Sequence, residues 1–401
     1  MKKLIAVVLC LAMVLLAFAG CASEGGDKGN VIKIGVFEPT TGENGAGGMQ
    51  EVLGARYANK VKPTVTINGT EYKIELVEAD NQSDKTAAVT AAQSLVSAGV
   101  IGVIGSYGSG VSIAAGPAFE KAKIPAIGCS CTNPQVTAGK PYYFRVCFLD
   151  PYQGEVMANF AYATKKCVKA AVITQNGDDY STGLGGYFKD AYVKLGGELV
   201  YEGTYNTNES DFNAILTAAK AKNPDVLFIP SSINTAGLII KQAREQGITC
   251  PIMAGDTWQN ATIMQNAGNE NCKDVYYSTF FSADDKDAAD FVKGFQEYLN
   301  SDAKNKKANG DTDAIASVSA LGYDCYMAFV NALESLKGDV TGEEVCKALT
   351  TLDFTGVTGR IVFDENGDAK KDAAFIETFD NGEMKLVGFQ GATPDSYKDA
   401  Q

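Results

Sequence analysis

Histidine is absent from the 401 residues, which removes the commonest general base and the commonest transition-metal ligand together. Hydrolase triads built on imidazole and zinc sites containing it are thereby excluded. Basic residues are scarce relative to acids, 35 against 48, for a net charge of −13. A surface of that sign repels nucleic acid and anionic lipid, so neither is expected as a ligand. Long apolar runs are also rare. After the first twenty residues nothing approaches the roughly 18 to 20 apolar residues needed to cross a bilayer. Cysteine is not scarce, at ten, but its spacing is uninformative. Cys129 and Cys131 form a CxC pair, and no set of four thiols stands at metal-binding intervals. The expectation is buried free thiols serving as small hydrophobes, with no metal and no cofactor.

What is present begins with MKKLIAVVLCLAMVLLAFAG and Cys21. Two lysines, an apolar run, small residues and a cysteine make an export signal over residues 1–20, cleavage before Cys21 and lipidation of its thiol. The polar, Gly-containing stretch that follows, through residue 30, is a tether. The implied location is extracytoplasmic, anchored to the cell membrane. Roughly 370 residues remain, more than one hydrophobic core usually holds, so two lobes are expected.

From Val31 onward strands and helices alternate. VIKIGVFEP, YKIELVEAD, GVIGVIGSYG and IPAIGCS read as strands separated by helical segments, and the pattern restarts after the turn-like PYYFRVCFLDPYQG. This predicts an α/β fold of two Rossmann-like lobes with mostly parallel sheets. From Val275 the chain reads as a return to the first lobe. Asn366-Gly367 and Asp380-Asn381-Gly382 mark late turns between short strands. The expected division is residues 31–150 with 279–355, and 151–278 with 356–395, joined by a three-segment hinge.

In open parallel sheets ligands bind beyond the carboxyl ends of the strands. That rule selects GSYGSGVS, where Ser109 and nearby amides open a helix that can face an anion. It also selects GCSCTNP, with the Ser130 and Thr132 hydroxyls. On the other lobe it selects TQNGDDYSTG, with Asp178, Asp179 and Tyr180, and AGDTW, with Asp256 and Trp258. A carboxylate there can hold an ammonium group, and an aromatic can cover the ligand. No nucleophile is matched with a base, so no enzyme is expected.

The order and spacing of IKIGVFEPTTGENGAGG, VIGSYGSGVSIAAGPAFEKAKIPAIGCSCTNP, ITQNGDDYSTG, DFNAILTAAKAKNPDVLFIPSS, ALGYD and TGRIVFDENGDA resemble the type I periplasmic solute-binding proteins of the branched-chain amino-acid (Leu/Ile/Val) family, receptors of ABC importers. The resemblance implies two lobes closing on an α-amino acid, branched-chain or otherwise apolar, and delivery to a membrane permease. By that resemblance Ser109 and Thr132, with amides around Tyr107 and Cys131, hold the ligand carboxylate. Tyr180 stands against the ligand, Asp256 receives the α-amino group, and Trp258, Tyr323 and Asp324 are wall or cleft residues. Gly47 and Ser232 replace aromatic walls of the family's receptors, which leaves either a larger pocket or one filled by other side chains. A receptor for another small carboxylate, amide or short peptide, or a sensory module of the same fold, is the alternative.

Overall fold

The computed structural model describes residues 30–371 and 373–400. The expected signal segment, Cys21 and all of the tether but its last residue lie outside them. Among the described residues no helix is long and apolar enough to cross a membrane.

The first sheet contains β1 (Val31–Glu38), β2 (Thr64–Ile67), β3 (Thr70–Asp80), β4 (Gly102–Ile104), β5 (Ala126–Gly128) and β6 (Tyr143–Arg145), in the order β2-β3-β1-β4-β5-β6. Between them run α1 (Gly45–Val61), α2 (Lys85–Ser97) and α3 (Ser109–Ala122). Every pairing is parallel except the β2–β3 hairpin. β4 and β5 are fully buried, as strands covered by helices on both faces must be. Asp84 caps α2 by accepting from the Thr86 and Ala87 amides, which fixes where the helix starts.

The chain then crosses to the second sheet through α4 (Asp150–Asn159). That sheet takes β7 (Lys169–Gln175), β8 (Glu198–Tyr205), β9 (Val226–Phe228), β10 (Ile252–Ala254) and β11 (Val275–Thr279) as its parallel part. α5 (Asp179–Lys194), α6 (Asn213–Lys220), α7 (Ile233–Glu245) and α8 (Ala261–Ala267) connect them. β11 pairs with β10 in this second sheet, so the segment from Val275 is not yet first-lobe chain.

The return comes later, with α9 (Ala289–Asn300), α10 (Ala303–Ala308) and α11 (Ser317–Ser335). α11 packs along α1, and the fit is close because Gly54 and Gly322 sit against the backbones of Ser319 and Glu51. α12 (Gly342–Leu349) and the two-stranded ribbon β12 (Asp353–Gly356) and β13 (Gly359–Val362) follow. β13 pairs backward with β12, and the chain just beyond it turns across Asn366-Gly367, where Phe363 and Ala369 form a single antiparallel bridge. β14 (Ala374–Asp380), β15 (Glu383–Gln390) and β16 (Lys398–Asp399) finish the second sheet as antiparallel strands. β14 and β15 turn tightly at Asn381-Gly382.

Candidate functional site

The strand ends of the two sheets face one another, and the lobes touch across the gap. Lys85 pairs with Asp179 at 2.8 Å, Gln175 donates to Glu43 at 3.0 Å, Asn260 donates to Gln50 at 2.9 Å, and Asn133 donates to the Asp179 carbonyl at 2.8 Å. The cleft is closed, with a mouth cavity of about 240 Å³ lined by Glu43, Asn44, Tyr107, Gln175 and Asp178 among others.

On the first-lobe wall, the turn after β4 carries Tyr107 and runs into α3 at Ser109. The Ser109 hydroxyl accepts from the Asn133 amide at 3.1 Å and retains its own proton for donation. Thr132, in the loop after β5, is fully buried; its Oγ1 completes no well-formed hydrogen bond, although it lies close enough to the Asp150 carboxyl to oppose the rise that burial gives that acid. Those two hydroxyls are the donors this wall leaves open. The Tyr107 amide is not available, because it donates to Glu38 Oε2 at 2.7 Å. Glu38 is the last residue of β1 and fully buried. Burial first, then the neighbouring Glu51, raises its carboxyl well above the ordinary range. Cys131 contributes its side chain and carbonyl to the first lobe's interior. Its side chain packs in the core beside Phe37 and Tyr143, and its carbonyl accepts from Arg145 Nη1 at 2.7 Å.

The second-lobe wall centres on Asp256, just after β10 and 2% exposed. Its Oδ1 accepts from Tyr180 Oη at 3.0 Å and from Gln153 Nε2 at 2.9 Å. Gly255 permits this approach, since a Cβ there would lie 2.4 Å from the Tyr180 hydroxyl oxygen. Burial raises the Asp256 carboxyl to about 6, against the pull of those two hydrogen bonds. Asp178 has a different duty from its neighbour Tyr180: its carboxylate accepts from the Tyr180 and Ser181 amides at 3.3 Å and caps α5.

Three expected cleft residues lie elsewhere. Trp258 is fully buried in the second-lobe core, its Nε1 donating to Ser231 Oγ at 3.1 Å. Tyr323 packs against Phe291 and Tyr57 and lines a separate cavity of about 700 Å³ that also holds Asp324. Asp324 is engaged there by the Val357 and Thr358 amides at 2.8 and 2.9 Å. Trp258 followed from its place at a strand end and Tyr323 and Asp324 from the resemblance, and packing overrode that placement.

The vacancy at Gly47 is filled. A Cβ on residue 47 would fall 2.3 Å from Tyr107 Cε2, so the ring occupies the space that an aromatic at 47 would take. The Tyr107 hydroxyl extends across the cleft to the Thr257 carbonyl at 3.5 Å. Ser232 turns to Thr235 at 2.9 Å and Glu43 at 3.4 Å.

Four acidic or amide residues at this site escaped sequence reasoning: Glu38, Glu51, Asp150 and Gln153. Ser130 donates to Glu51 Oε1 at 2.5 Å. Asp150 and Gln153 open α4, where the chain changes lobes, and Gln153 bridges Asp256 and Ser278. Glu38 had a legible signal, an acid closing an otherwise apolar strand at the end where ligands bind.

A model of the family described as "Periplasmic binding protein" matches residues 31–383. The chain belongs to the periplasmic binding protein family. A leucine-binding protein from Thermotoga maritima shares 33% identity with this periplasmic binding protein and superposes with a TM-score of 0.81, over 90% of this chain and 99% of that one. A branched-chain amino acid transporter substrate-binding protein from Streptococcus pneumoniae, solved with isoleucine, shares 30% identity with a TM-score of 0.79, over 89% and 99%. An amino acid binding protein from Pseudomonas aeruginosa is 37% identical across 59% of this chain and 63% of its own length. The fold is the type I arrangement of two α/β lobes. This periplasmic binding protein is an extracytoplasmic, non-catalytic solute-binding protein.

Proposed function

We propose that the solute is an α-amino acid, gripped by both lobes and passed to a membrane permease. The observation that carries this reading is the pairing of unspent donors on one wall with a buried acid on the other. Ser109 and the Thr132 hydroxyl offer protons to a carboxylate, with the positive end of α3 beside them. Facing them, Asp256 presents a carboxylate steadied by Tyr180 and Gln153, which suits an ammonium. Contacts made from both lobes to one ligand convert binding energy into closure. Lipidation at Cys21 would hold the carrier beside its permease.

Thermal unfolding of signal-free protein, refolded to strip bound solute, tests the reading against the common amino acids and their deaminated analogues. Saturable stabilisation by an amino acid but not by its deaminated partner is the expected result. Equal stabilisation by both would remove Asp256 as an ammonium acceptor, and no response to any amino acid would reject the solute class.

A further inference from the structure

The loop between β1 and α1 ends in Glu43 and Asn44, and the Glu43 side chain reaches out of its own lobe. Among the described residues no first-lobe group donates a hydrogen bond to its carboxylate. Its donors stand on the second lobe: Gln175 Nε2 lies 3.1 and 3.0 Å from the two oxygens, and Ser232 Oγ lies 3.4 Å from Oε1. Gln175 closes β7 and is 2% exposed, and Ser232, just before α7, is 4% exposed.

That socket is built without help from Glu43. Tyr205, at the end of β8, donates to Gln175 Oε1 at 3.2 Å, Gln175 Nε2 also donates to Thr207 at 3.2 Å, and the Gln175 backbone amide donates to Ser181 Oγ at 2.8 Å. Ser232 is held by Thr235 at 2.9 Å. Side chains already fixed in the second lobe lose little freedom when the carboxylate arrives, and hydrogen bonds to a carboxylate are stronger than those between neutral groups. The other side-chain pairs across the gap differ in kind. Lys85 and Asp179 are partly exposed and screened by salt, and Asn260 and Gln50 join two neutral amides. One repulsion limits the seat. Burial first, opposed by the Ser181 and Tyr180 amides and reinforced by the Glu43 charge, raises the nearby Asp178 carboxyl to about 6. The contact therefore favours closure without locking it.

We propose that Glu43 is a positioning residue for solute capture: seated between Gln175 and Ser232, its carboxylate shifts the empty protein toward the closed form and slows the release of whatever solute the cleft holds. Glu43 and Gln175 both line the mouth cavity, so the contact that joins the lobes also stands at the exit. A solute that is held by the closed form binds in proportion to how readily that form is reached, so the latch raises affinity for every solute by one common factor. The role belongs to lobe closure and holds whichever solute class the cleft takes.

The test compares stripped parent protein with Glu43→Ala by small-angle X-ray scattering, with no solute present. The variant is expected to have the larger radius of gyration at an unchanged circular dichroism spectrum. Gln175→Leu, which removes the other half of the contact, should give the same expansion, and the double variant no more than either single one. Calorimetric and stopped-flow titration with leucine, alanine and lysine reads the second consequence. Each of these that binds the parent should bind Glu43→Ala about fivefold more weakly, by one common factor and through faster dissociation. Equal radii of gyration for parent and Glu43→Ala overturn the proposal, whether or not any amino acid binds. A loss confined to one of the solutes overturns it too, because Glu43 would then be touching that side chain. Failure of all three to bind counts against the amino-acid reading, and the scattering result still decides the role of Glu43.

Discussion

Asp256 carries the recognition in this site, and its surroundings let its role be separated from its contribution to folding. Two donors meet Oδ1 while the whole carboxylate is buried. Asp256→Asn keeps the size and much of the hydrogen bonding but deletes the charge. Amino-acid affinity is expected to fall by about 2 kcal/mol or more, roughly thirtyfold, in calorimetric titration. The ligand-free protein should unfold at the same temperature or slightly higher, because a buried charge has been removed. Thr132→Val should cost about 1 kcal/mol of binding, near fivefold, through loss of a single donor. Gly47→Ala tests the pocket's other wall. The added methyl meets the Tyr107 ring, and overpacking of this kind costs about 1 to 3 kcal/mol, read as lower thermal stability together with weaker binding.

At the level of elements, the link between α11 and the β12–β13 ribbon supplies a contrast. Asp324 on α11 accepts from the Val357 and Thr358 amides and from the Thr358 hydroxyl, the last at 2.6 Å. Asp324→Ala strands these donors in a buried position and should destabilise the protein by about 2 to 4 kcal/mol in denaturant unfolding. Solute affinity should stay within about twofold, since this contact lies beside the 700 Å³ cavity and not in the cleft. A large loss of affinity would restore Asp324 to the cleft set. The same ribbon shows where sequence reading stops. β1, β4 and β5 were legible as largely apolar runs, the first closed by an acid and the other two by small residues, and so were the loops that carry Ser109, Thr132, Tyr180 and Asp256. β2 and β12 are four-residue strands of mixed exposure whose pairing partners, not their composition, make them strands. Register and partner choice are tertiary facts. Glu51 and Gln153 were hidden for the same reason: each lies on a helix with ordinary periodicity, and only the packing of α1 beside the loop after β5 and of α4 against β11 turns them inward.

For the whole molecule the buried acids impose a pH dependence with opposite signs for folding and for binding. Asp256 and Asp178 are raised to about 6 and Glu51 and Glu377 to about 7, in every case chiefly by burial. Carboxyls in an unfolded chain titrate near about 4. As pH rises from about 4 to about 7 the unfolded chain therefore gives up these protons before the closed, empty protein does, and native stability falls across that window. The ligand-free unfolding temperature should be higher near pH 5 than near pH 7.5, the reverse of what surface acids such as Asp80 and Asp353, held low by their partners, would produce below about pH 4. Binding runs the other way, because an ammonium needs the ionised acid. Solute affinity should be greatest above about pH 7 and should decline as Asp256, raised to about 6, takes up its proton. The cross-cleft pair Lys85–Asp179 is half-exposed and worth about 0.2 to 1 kcal/mol, so Lys85→Ala should shift affinity by fivefold or less without changing the shape of that pH profile. Thermal unfolding with and without solute at a series of pH values reads both curves from one preparation. Parallel curves, with the solute adding the same increment at every pH, would mean that the buried carboxyls do not meet the ligand's positive charge.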